Sequence, residues 1–190
     1  MNLFRRIVPV LLVPALAAAH PIPGVGDFYS GMLHPLLSLD QIVPLIALSL
    51  LAGQQERRTA IAVLLALPLA VIAGATAALV WQPPASLALS NIAAMVVLGA
   101  LVALSRPLPR GLLCSISIAL GLALGLALGS EITLDEAPRF IPGASLESLA
   151  VAVYGIGLVR WLKAPWTRIA VRVAGSWVAA IGIMVLGLKQ

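Results

Sequence analysis

Six stretches of close to twenty apolar residues, at 33–52, 59–80, 86–104, 111–129, 146–162 and 168–188, account for most of this chain. A helix needs about 20 residues to cross the ~30 Å hydrocarbon core of a bilayer, so each stretch has the length of one span. In lipid, each backbone N–H and C=O must find its partner inside the protein, which leaves helices as the structure for uninterrupted apolar runs of this length. Charged residues make up 10% of the chain, against about 25% in a soluble domain. The expected fold is therefore an all-α integral membrane protein, a six-transmembrane-helix bundle forming one domain over residues 20–190.

Residues 1–19 read as a signal peptide ahead of that bundle. Arg5 and Arg6 form a positive start, Ile7 to Leu16 an apolar core, and Ala17-Ala18-Ala19 a small-residue cleavage site. The core is short for a span; if uncleaved, it is an additional N-terminal helix. The loops between the six segments alternate in charge. Positive excess falls at 54–58, at 106–110 and around Arg160, Lys163 and Arg168, whereas the turn at Trp81 is uncharged and 131–145 holds three acids and one base, Arg139. The positive-inside rule puts the first group in the cytoplasm and both mature termini outside it. That is the topology of a multi-pass membrane protein, with a bacterial inner membrane as the expected location. The net charge of +5 thus serves topology, not nucleic-acid binding. Trp81 falls at the outer interface, and Trp161 and Trp166 at the inner one, where aromatic belts sit.

Gly121, Gly125 and Gly129 recur at every fourth position of the fourth segment and let a neighbouring helix approach closely, within one bundle or in a homo-oligomer. Pro68 interrupts the second segment, where a kink is expected. The single cysteine, Cys114, permits no internal disulfide. No G-x-S-x-G, H-E-x-x-H, CxxC pair or phosphate-cradling glycine loop is present, so no enzyme is indicated and no ATP-binding motif accompanies the spans.

Both histidines and two of the seven acids fall in one stretch, from His20 through Asp27 and His34 to Asp40 and Gln41. Pro35 suits the first turn of a helix, which would start that helix at His34. On one continuous helix His34, Ser38 and Gln41 share a face, with Asp40 about 120° round and roughly 9 Å deeper than His34. Pro44 offers no N–H to the carbonyl of Asp40, which adds a freed acceptor. Imidazole with carboxylate suits a borderline divalent cation such as Ni²⁺, Co²⁺ or Zn²⁺. The alternative is structural: His34 caps the helix and Asp40 bonds a neighbour. Glu147, at the start of the fifth segment, either completes a site or caps its own helix.

The run Ala19-His20-Pro21, Gly26-Asp27, Gly31-Met32-Leu33-His34-Pro35-Leu36-Leu37-Ser38-Leu39-Asp40 resembles the HupE/UreJ family of membrane proteins. The resemblance extends to the layout of signal and six spans, to Asn91 through Gly99, and to Arg172-Val173-Ala174-Gly175. It implies a role in nickel or cobalt uptake serving hydrogenase or urease, with His34 and Asp40 as metal-site residues. Gln41 stands where the family motif places a second histidine. The fourth segment lacks the family's Phe-His-Gly-type motif, and Ser90 and Asn91 stand where members often carry a glutamate.

Two functions remain in view. One is a permease-like protein moving Ni²⁺ or Co²⁺ by secondary transport, with metal residues His20, Asp27, His34, Asp40 and Gln41 and no permanently bound cofactor. The other is a non-transporting scaffold or accessory subunit, partnered in the bilayer with further copies or another membrane subunit. Transport predicts that Asp40, Gln41 and Asn91 face a common polar cavity; a scaffold predicts them buried and bonded to each other.

Overall fold

The computed structural model describes residues 26–81, 83 and 87–188. The expected signal peptide and His20 lie outside the described residues. Seven helices run in chain order: α1 (Asp27–Leu37), α2 (Leu39–Gly53), α3 (Arg57–Ala78), α4 (Leu87–Leu104), α5 (Arg110–Gly129), α6 (Ala137–Trp161) and α7 (Pro165–Leu188). No strand occurs among the described residues. Helices α3, α5, α6 and α7 are each long and apolar enough to cross a membrane, and α1 with α2 makes a fifth if that bent pair is one span. Helix α4 is apolar but shorter than these four.

Small residues set the packing. Lipid tails are as apolar as leucine side chains, so membrane helices associate where their backbones can approach and gain dispersion contact. The stripe Gly121, Gly125 and Gly129 of α5 lies on α3, where a Cβ on Gly125 would meet the backbone of Val71 and Ala75. The stripe is thus used within the bundle. On the opposite flank Gly99 of α4 abuts Ala179, and Gly175 of α7 abuts Val102. Helix α6 is central and packs on α1, α2 and α3. Leu45, Leu48 and Leu51 of α2 fill the space between these layers, together with Leu67, Leu98 and Leu113. The outward face of α7 carries Trp166, Ile169, Val173 and Trp177, all exposed, as a lipid-facing surface requires.

The three positive loops meet at one end of the bundle. Gln55 ties them together: its Nε2 donates to Arg106 O (3.3 Å), its Oε1 accepts from Leu108 N (2.9 Å), and its carbonyl accepts from Arg160 (3.0 Å). The turn at Trp81 and the acidic residues Glu131, Asp135 and Glu136 occupy the opposite end.

Three expectations about local structure are corrected: one helix over 33–52, Pro35 in a first turn, and the start of the fifth segment. The segment expected as one helix over 33–52 is two helices bent by 79°, and Pro35 lies inside α1 rather than in a first turn. Ser38 is the cause. Its hydroxyl donates to His34 O (3.2 Å) and its N–H turns to Pro35 O (3.3 Å), so the side chain takes the carbonyl that the next helical turn would have used. The shared face of His34, Ser38 and Gln41 is consequently lost. Pro68 lies inside α3, which continues through it as one helix. Last, α6 starts at Ala137, not near residue 146, with a proline in its first turn as helix starts tolerate. Glu147 therefore sits ten residues inside a helix and caps nothing.

A buried polar layer beneath an acidic mouth

At the end opposite the basic loops, the residues singled out by the sequence disperse. His34 turns towards the loop after α5, with Nε2 3.2 Å from Glu131 Oε2 and its ring edge-on to Phe140 (centroids 5.8 Å apart). Asp27 Oδ2 lies 3.6 Å from a guanidinium nitrogen of Arg139. These contacts join α1 to α6 and to its preceding loop, with Gly31 and Gly143 permitting backbone contact between the two helices. Asp40 is exposed in the first turn of α2, whereas its neighbour Gln41 is 4% exposed. Among the described residues, no three His, Cys, Asp or Glu side chains gather as a metal-ligand set.

Deeper in, the helix registers assemble a different group. Gly155 packs on Ser49 and Gly53 on Val159, so α2 and α6 run parallel in a constant register. Carried towards the mouth, that register sets Gln41 level with Glu147. Helices α2 and α4 are also parallel, tied by Gln54 Nε2 to Val102 O (3.2 Å) and by Gln55 to Arg106, which brings Asn91 within a turn of Gln41. Ser145 Oγ donates to Pro68 O (3.3 Å), and the glycine stripe fixes α5 against α3. Together these contacts place Ser117 at the same depth.

All four residues are buried: Asn91 is 1% exposed, Glu147 3% and Ser117 fully enclosed. Gln41 Oε1, both polar atoms of the Asn91 side chain, Ser117 Oγ and both Glu147 carboxylate oxygens make no hydrogen bond. A buried polar atom without a partner costs about 1–3 kcal/mol, so each of these four residues calls for a partner such as water or an ion. Their chemistry is oxygen-rich: two amides, a hydroxyl and a carboxyl group. Such a carboxyl group is held either as a carboxylate by a cation or as the neutral acid. Gln41 was singled out in the sequence; Asn91 entered only as a possible wall residue, and Ser117 was missed. The sequence leaves Glu147 either completing a site or capping its own helix, and the start of α6 at Ala137 removes the cap. A lone glutamate within an apolar run was the signal that located it.

The profile of the family described as HupE / UreJ protein matches residues 8–185. The chain belongs to the HupE/UreJ family. No match was found among curated proteins or solved structures. Membership bears out the resemblance carried by His34 to Asp40 and ties this chain to a membrane family associated with nickel and cobalt handling. Within this HupE/UreJ member the motif is divided by the bend: His34 ends up with Glu131 above it, and Gln41 with the polar layer below.

Proposed function

We propose that this HupE/UreJ protein is a permease-like carrier for a divalent transition metal, Ni²⁺ or Co²⁺, in a bacterial inner membrane. It works without ATP-binding machinery, and six spans follow a signal peptide, with both mature termini outside the cytoplasm. The observation that carries the reading is Glu147, a buried carboxyl group without a hydrogen bond, at the depth of the buried side chains of Gln41 and Asn91. Intramembrane acids of this kind mark ion paths. Asp27, His34, Glu131 and Asp40 line the mouth and concentrate cations there, with His20 and its free amine as a further donor after signal cleavage. The ion then exchanges water for the amide oxygens of Gln41 and Asn91 and the carboxylate of Glu147. Few donors bind weakly, and weak binding lets the ion leave.

A second reading, a non-transporting accessory subunit, is favoured by one observation: no three-donor cluster forms among the described residues. Uptake of radioactive nickel and cobalt into cells expressing the chain separates the two, with His34→Ala, Asp40→Asn and Glu147→Gln at matched membrane levels. Transport through the layer requires uptake above empty membranes and its loss in Glu147→Gln. No uptake from inserted, folded protein sinks the carrier reading and leaves the accessory role.

A further inference from the structure

The basic end of the bundle holds a cavity of about 460 Å³, between the ends of α2 and α6 and the start of α7. Its size falls in the ~300–1,000 Å³ range of small-molecule sites. Three cations line it, Arg160, Lys163 and Arg168, together with Gln54 and Thr167, and no acidic residue does. Neither ion pair found among the described residues involves these cations.

The walls are held in place. Arg160 is anchored on the carbonyl of Gln55 (3.0 Å). Thr167 Oγ1 donates to Leu162 O (3.1 Å) and Ala164 O (2.6 Å), fixing the turn that carries Lys163. The first turn of α7 adds the positive end of a 24-residue helix. Gln54 Oε1, buried and without a hydrogen bond, supplies an acceptor in the same wall.

A cationic lining with one amide acceptor fits a phosphate that carries hydroxyl donors nearby. Depth identifies the source. Trp161 and Trp166, next in sequence to the lining residues Arg160 and Thr167, are 77% and 67% exposed, as aromatic anchors at the headgroup level are. We infer that this cavity binds the phosphate of an anionic glycerophospholipid headgroup, with Arg160, Lys163 and Arg168 around the phosphate and Gln54 accepting from a glycerol hydroxyl. Basic pockets between membrane helices recognise lipid headgroups in this way. The site lies at the other end of the bundle from the polar layer and does not depend on what that layer carries.

Native mass spectrometry of the full chain, released from detergent with equal amounts of phosphatidylglycerol and phosphatidylcholine, tests the assignment. The protein should retain phosphatidylglycerol in preference. A Lys163→Gln/Arg168→Gln variant should retain roughly thirtyfold less, about fivefold per cation removed. Lys163→Gln alone should lose about fivefold, which keeps the test intact if the double variant folds poorly. Arg57→Gln/Arg58→Gln, at the same end but outside the cavity, should match the parent. Equal retention of the two lipids overturns the proposal, as does an equal loss in both double variants. Displacement of the lipid by inorganic phosphate alone would make a free anion the occupant and overturn the lipid assignment.

Discussion

His34 Nε2 lies 3.2 Å from Glu131 Oε2, so the loop after α5 is fastened to α1 just before its bend into α2. The pair bridges elements nearly a hundred residues apart in sequence and holds the mouth of the bundle together. Glu131 is partly open to water, and exposed pairs contribute only about 0–1 kcal/mol. Glu131→Gln is therefore expected to lower thermal stability in detergent by less than about 1 kcal/mol. A double-mutant cycle with His34→Ala should give a coupling within the same limit.

Glu147→Gln is nearly isosteric and keeps the layer polar. The variant is expected to insert and melt within about 1 kcal/mol of the parent, while nickel or cobalt uptake falls at least tenfold. Uptake equal to the parent would exclude Glu147 from the path.

Asp40 and Gln41 are neighbours on α2 with opposite exposure. In a background carrying Cys114→Ala, Asp40→Cys should react readily with a membrane-impermeant thiol reagent, because Asp40 is exposed. Gln41→Cys should stay protected, because Gln41 is buried. Equal labelling at both positions would contradict the burial of Gln41.

Glycine positions divide by what surrounds them. Gly125 sits against the backbone of α3, which cannot yield, and nothing lies within 4 Å of a Cβ built on Gly157. Gly125→Ala is expected to cost about 1–3 kcal/mol. Gly157→Ala, at a helical position with open space, should be neutral or stabilise by up to about 1 kcal/mol. Thermal melts of the two variants in one detergent check both.

Much of this was legible along the chain. The apolar runs fixed helices because helical hydrogen bonds close locally, and the alternating loop charge foretold which ends of the helices meet. The stripe Gly121, Gly125, Gly129 announced a close helix pair, which α3 supplies. The family was readable from the run His34 to Asp40. The bend was not, because Ser38 competes for a carbonyl only in a conformation that the neighbouring helices favour. Nor was the start of α6, because Pro142 reads as a helix breaker and is accommodated inside a helix packed on α1.

Membrane class, helical secondary structure and the polarity of the two ends were set by sequence alone, since each depends on residues close together in the chain. Which polar side chains share a depth was settled by tertiary structure. The common level of Gln41, Asn91, Ser117 and Glu147 depends on the offset of four helices, and that is fixed by contacts such as Gly53 on Val159 and Gly125 on Val71. No local pattern around any one of the four carries that information.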